Sequence, residues 1–153
     1  TPGTQMLQGL SVGIDMLHEE GLDNVFARHN RLADATRAAA KHWGLETVCG
    51  DPKYQSSTLT AVILPEGFNA DAFRAMALET FNISYGSSFG ALAGKYFRIG
   101  HLGDINEAML MGCLGVTEMA LELFGVPFKK GGVQAAMESL VTAHGGAKKK
   151  AAE

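Results

Sequence analysis

The sequence predicts a two-layer α+β domain, with strands paired mostly antiparallel and helices gathered on one face. Two observations carry that expectation. Apolar residues recur at spacings of three and four in five separate stretches, as amphipathic helices require. Between them lie four short runs of strand character, and the runs fall in neighbouring order along the chain: helix, helix, strand, strand, helix, strand, strand, helix, helix. No internal repeat is present.

Thr1-Pro2-Gly3-Thr4 is turn-like, and Thr4 is suited to cap a helix over 5–20. Leu7, Leu10, Ile14 and Leu17 form its stripe, and Gly21 stops it. Asp23 or Asn24 then caps a second helix reaching Trp43, with Val25, Phe26, Leu32, Ala35 and Ala39 inward and Gly44 at its end. The period changes after Gly44. Leu45–Cys49 reads as a short strand and Gly50-Asp51-Pro52 as a turn. Thr58–Leu64 is the best strand in the chain, closed by Pro65 and Gly67. Asn69 caps a helix through Glu79, carrying Phe73, Met76 and Ala77. Phe81–Tyr85 and Lys95–Gly100 read as strands, joined by the glycine- and serine-rich stretch Gly86–Gly94. Asp104–Phe124 is a long helix with Ile105, Met109, Cys113, Val116, Ala120 and Leu123 along one stripe, and Val133–Ala143 is the last. The first helix has no place in the two-layer pattern, so its apolar side is expected to meet a second domain or another subunit.

The chain of 153 residues suits one domain with a proper core, or a small domain plus an extension. Thirteen basic against sixteen acidic residues give a net charge of −3, which argues against a broad nucleic-acid footprint. No apolar run approaches a membrane span. Cys49 and Cys113 lie far apart without metal-like spacing, so two buried free thiols in a reducing, cytoplasmic compartment are expected rather than a disulfide. The absence of an initial methionine points to a fragment, a processed product or a partly seen molecule.

Few residues invite a chemical role. Gly86–Gly94 lacks the GxxxxGK[ST] and GxGxxG spacings, and a strand rather than a helix follows it, so a hairpin connection is the better reading. His18, His29, His42, His101 and His144 show no ligand spacing, and no metal site is expected. His101 and Tyr85 are candidates to line a pocket. Asp104 is placed to cap its helix, with Glu107 completing an acidic capping box. Arg98 stands out. It sits inside the run Tyr96-Phe97-Arg98-Ile99-Gly100, where burying a guanidinium is costly unless it meets an anion. Its planar fork matches a carboxylate. The residues alone leave open a solvated arginine or an ion pair within the domain.

Four segments resemble the C-terminal part of class V pyridoxal-phosphate aminotransferases, the serine–glyoxylate and alanine–glyoxylate (serine–pyruvate) group in particular. They are Thr1-Pro2-Gly3-Thr4 leading to Glu19-Glu20-Gly21-Leu22, then Arg28-His29-Asn30-Arg31-Leu32-Ala33, then Leu59-Thr60-Ala61-Val62 with Pro65-Glu66-Gly67, and Gly90 through Gly103 with its Arg98-Ile99-Gly100-His101-Leu102-Gly103 ending. The resemblance implies the small domain of a fold-type-I enzyme over 23–144, preceded by an interdomain connecting helix over 1–22 and followed by a disordered tail over 145–153. It implies that Arg98 binds the substrate α-carboxylate and that Thr1 reaches a cofactor phosphate across a homodimer. It implies a pyridoxal phosphate held mainly by an upstream large domain, which also supplies the Schiff-base lysine. No lysine of this chain matches that context, so the segment alone is expected to hold no catalytic residue and to be inactive. The expected partners are amino-acid and 2-oxo-acid substrates and the large domain of the same enzyme. Two other readings stand beside it: a freestanding carboxylate-binding module, and a dimerisation domain in which Arg98 is a plain ion pair.

Overall fold

The structure, a computed structural model, describes residues 2–150 and the side chains of 2–145. Thr1 and the end of the tail, 151–153, lie outside the described residues. Helix α1 (Thr4–Glu20) ends at Gly21, whose positive φ of 83° breaks the helix at once, and α2 (Leu22–Trp43) begins on the next residue. Strand β1 (Leu59–Ile63), helix α3 (Ala70–Phe81), strand β2 (Tyr96–Gly100), and helices α4 (Glu107–Leu123) and α5 (Gly132–Lys150) follow.

β1 and β2 pair antiparallel, Thr60 opposite Ile99 and Val62 opposite Phe97. These four residues face inward and are buried. Leu32, Trp43, Phe73, Leu110, Leu114 and Leu121 from α2, α3 and α4 join them in one core, completed by Ala136 and Leu140 from α5. Side chains alternate across a strand. Leu59, Ala61, Ile63 and Arg98 therefore occupy the opposite face, where they are only half-buried. The two-layer arrangement with helices on one face is what the sequence predicts.

Several expected elements differ. The runs at 45–49 and 81–85 are not strands. Each side of the β1–β2 pair carries one isolated bridge, Thr47 to Val62 and Gly86 to Arg98. The first run is drawn back by the turn closing α2, where the Leu45 amide bonds the Ala40 carbonyl. The second is consumed by α3, which runs to Phe81 and is capped by Asn82 in the left-handed conformation. α4 starts at Glu107 with Asn106 as its cap, the side chain accepting from the Met109 amide, so neither the Asp104 cap nor the Glu107 box forms. Its buried stripe is Leu110, Leu114, Thr117, Ala120 and Leu121, and the expected Met109 and Leu123 are exposed. α4 is apolar nearly all round, so its periodicity alone does not fix the face. Phe26 on α2 is likewise exposed. α5 runs past Ala143 to Lys150, through residues expected as a disordered tail; Ala and Lys are good helix formers, which favours the extension.

Glu118 anchors the start of α5. Its carboxylate accepts from Trp43 Nε1 at 2.9 Å and from the amides of Gly131 (2.7 Å) and Val133 (3.2 Å). Burial pushes this carboxyl up, but those donors outweigh it and hold it below the usual range. α1 lies apart from the core and buries no residue, leaving Met6, Leu7, Leu10, Ile14 and Leu17 exposed.

Candidate functional site

Arg98 sits mid-way along β2, in register with Ala61 of β1. On the other side its amide and carbonyl exchange hydrogen bonds with Gly86, at 3.1 and 3.0 Å. The main chain is thus fixed from both flanks, and the side chain leaves on the face away from the helices. Gly86 is what admits it. A Cβ there would lie 2.8 Å from Arg98 Nε and 3.0 Å from Arg98 Cβ. Beyond Gly86, the guanidinium carbon stands over the Phe89 ring at 5.1 Å from its centroid.

The other four arginines are each tied to a carboxylate: Arg28 to Glu20 (2.7 Å), Arg31 to Glu107 (2.8 Å), Arg37 to Asp34 (2.7 Å) and Arg74 to Asp71 (3.0 Å). Among the described residues, Arg98 has no carboxylate within ion-pair distance, and its Nε is buried without a hydrogen-bond partner. The sequence left a solvated arginine or an internal pair open, and the structure removes the internal pair among the described residues. An unpaired buried donor of a charged group costs on the order of 1–3 kcal/mol. The terminal N–H groups of the fork match the geometry of a carboxylate held by two parallel hydrogen bonds.

The two candidate pocket liners are core residues. His101 is fully buried. Its Nδ1–H donates to the Ser57 carbonyl (3.1 Å), and its Nε2 pairs with the Thr60 hydroxyl (2.9 Å). Burial pushes its pKa down to about 4; the Ser57 carbonyl opposes that, and the charges of Arg37 and His29 add to it. The ring therefore pins the end of β2 to β1. Tyr85 stacks on Phe73 at 5.8 Å and meets Phe97 edge-on at 5.1 Å. Its hydroxyl donates to Thr117, which donates to the Cys113 carbonyl. Burial pushes the phenol well above its ordinary pKa. Asp104 contributes no cap. Thr1 lies outside the described residues.

His29 is buried too. Its Nδ1–H donates to the Val25 carbonyl and its Nε2 accepts the Gly103 amide at 3.1 Å. The adjacent Arg28 holds the Gly103 carbonyl at 2.8 Å and the Ile105 carbonyl at 2.9 Å while pairing with Glu20 through two 2.7 Å bonds. Glu20 and Arg28 stabilise each other's charged forms, the carboxyl held below its usual range and the guanidinium raised. Phe89 and Gly86 were missed as site residues because the loop read as a mere connection. A single large aromatic amid glycine and serine was the available signal.

Cys49 and Cys113 are free thiols, as expected, but both are half-buried rather than buried. Among the described residues there is no group of three or more His, Cys, Asp or Glu side chains placed to hold a metal, and no helix is long and apolar enough to cross a membrane.

Comparison with known proteins gives the class of the two-layer α+β unit that carries this unpaired arginine. The chain is 48% identical over 139 residues to the serine–glyoxylate aminotransferase of Hyphomicrobium methylovorum, covering 90% of the chain and 34% of that protein. It is 40% identical over 153 residues to the L-aspartate–glyoxylate aminotransferase of Paracoccus denitrificans, covering 99% and 39%. Among solved structures, the ureidoglycine–glyoxylate aminotransferase of Bacillus subtilis superimposes with a TM-score of 0.81 at 34% identity, over 88% of this chain and 35% of that one. The pyridoxamine–pyruvate aminotransferase of Mesorhizobium loti gives 0.87 at 30% identity, over 93% and 37%. No protein-family model matches the chain. These relatives and neighbours are aminotransferases. The chain is homologous to the C-terminal part of the serine-, alanine- and aspartate–glyoxylate enzymes, spanning 34–39% of the length of the curated relatives described here.

Proposed function

We propose that this chain is the small-domain portion, with its interdomain helix, of an enzyme that transfers an amino group from serine or alanine to glyoxylate or a related 2-oxo acid. Arg98 binds the α-carboxylate that donor and acceptor share. The observation that carries this reading is the guanidinium itself: of five arginines it alone lacks an acidic partner among the described residues, and its buried Nε has no acceptor.

The relatives' chemistry implies pyridoxal phosphate, and the described residues do not fit its covalent seat. Lys41, Lys53, Lys95, Lys129 and Lys130 are all exposed, whereas a Schiff-base lysine is activated by desolvation or a neighbouring charge. The cofactor is therefore assigned to the remainder of the enzyme, with Thr1 contributing a hydroxyl to its phosphate across a homodimer, in the cytoplasm. The open apolar side of α1 favours this reading over a freestanding module, because a helix with no buried residue is suited to a neighbouring domain.

The test is Arg98→Leu in the complete enzyme. The expected result is a rise in KM for both amino donor and 2-oxo acid, corresponding to about 2–4 kcal/mol for a lost charge-assisted pair, with the fold intact. Unchanged kinetics would return Arg98 to a structural role.

A further inference from the structure

We infer that Phe89 is the positioning residue for the Arg98 guanidinium, an aromatic platform that orients the fork without occupying its donors. The inference rests on the carboxylate role proposed for Arg98.

The loop from Gly86 to Gly94 is pinned at both ends. Gly86 exchanges two main-chain hydrogen bonds with Arg98, and Ser88 Oγ accepts the Gly94 amide at 2.7 Å. Between these points the Phe89 amide donates to the Tyr96 hydroxyl at 3.3 Å, and the Phe89 ring meets the Tyr96 ring edge-on at 6.4 Å. Tyr96 and Arg98 are two residues apart on β2 and share its outer face. The ring is therefore carried by the same strand that carries the arginine.

Phe89 gains little from burial, since 64% of its surface is exposed. What its face meets is the guanidinium carbon, at 5.1 Å from the ring centroid. A π face attracts a cation electrostatically and accepts none of its in-plane N–H bonds. Gly86, the other support, offers only bare backbone to the arginine stem. Together they hold Arg98 in place while leaving its terminal N–H donors free, and a preorganised fork loses less freedom when the carboxylate arrives. An acidic support would fix the arginine equally well and would compete for those donors.

The experiment compares Phe89→Leu, Phe89→Tyr and Arg98→Leu in the complete enzyme, reading KM and kcat for the amino donor and the 2-oxo acid. Inhibition by propionate, which offers a carboxylate and no reacting group, serves as a separate readout. Leucine keeps apolar bulk and removes the π face; tyrosine keeps both. Phe89→Leu should raise both KM values and the propionate inhibition constant roughly three- to tenfold, with kcat within about twofold, and Phe89→Tyr should restore wild-type values. Wild-type constants in Phe89→Leu, an effect on kcat alone, or a loss that tyrosine does not rescue would overturn the inference. Arg98→Leu separates the two claims. If it leaves KM unchanged, the carboxylate reading itself fails; if it raises KM while the Phe89 variants do not, only the platform fails.

Discussion

His101 should make the domain sensitive to mild acid. In an unfolded chain its imidazole takes up a proton near pH 6.5, but in the fold it does so only near 4. Between those values the unfolded state binds more protons, so stability is intact above about 6.5 and falls as pH drops toward 4. Between pH 7 and pH 5 the loss from this one group is about 2 kcal/mol. Urea unfolding of the chain, followed by the fluorescence of its single, buried tryptophan, Trp43, reports it directly. With a denaturant slope of roughly 2 kcal/mol per molar, the midpoint should fall by about 1 M. The carboxyls of Glu20, Glu107 and Glu118 are held low, so their contribution is lost only at more acid pH. His101→Gln keeps a donor and an acceptor for Ser57 and Thr60 and cannot titrate in this range. Its midpoint should move far less between pH 7 and 5. An equal shift in variant and wild type would refute the assignment.

Two further outcomes are expected. Gly86→Ala puts a Cβ 2.8 Å from Arg98 Nε and 3.0 Å from Arg98 Cβ, so it should lower the melting temperature, displace Arg98 and raise KM in the complete enzyme by on the order of tenfold; kinetics and a thermal melt on the same preparation check both halves. Asn69→Ala removes an N-cap that accepts from the Asp71 and Ala72 amides, both at 2.9 Å, and should cost about 1 kcal/mol, read as a melting point lower by roughly 2–4 °C.

What was legible in the sequence follows from how local each signal is. The stops of α1 and α2 and the cap of α3 are written in residues next to them, Gly21, Gly44 and Asn69, whereas the caps expected at Thr4 and at Asp23 or Asn24 do not form, because α1 and α2 start directly after Gly3 and Gly21. β1 and β2 are announced by their own composition. The edge segments around Thr47 and Gly86 are not, because a bridge of one residue depends on partners tens of positions away. The cap of α4 is decided by geometry among closely spaced polar residues, and Asn106 prevails over Asp104. Arg98 was conspicuous as a charge in an apolar run. That its guanidinium would be left unpaired while four other arginines found carboxylates was not readable, since each pairing depends on which helix faces meet. Phe89 reaches Arg98 only because Gly86 closes against β2, a fact of tertiary structure.

The corner between α1 and α2 turns at a glycine, which invites the picture of a free joint. The Glu20–Arg28 pair contradicts it. One guanidinium binds the last residue of α1 and two carbonyls of the turn that follows β2, while the neighbouring imidazole holds the Gly103 amide. Tilting α1 against α2 would strain charge-assisted bonds whose other ends sit five and seven residues beyond Arg98. One guanidinium thus braces the end of α1 against the turn that follows β2, so the glycine corner is a clamped joint rather than a free one.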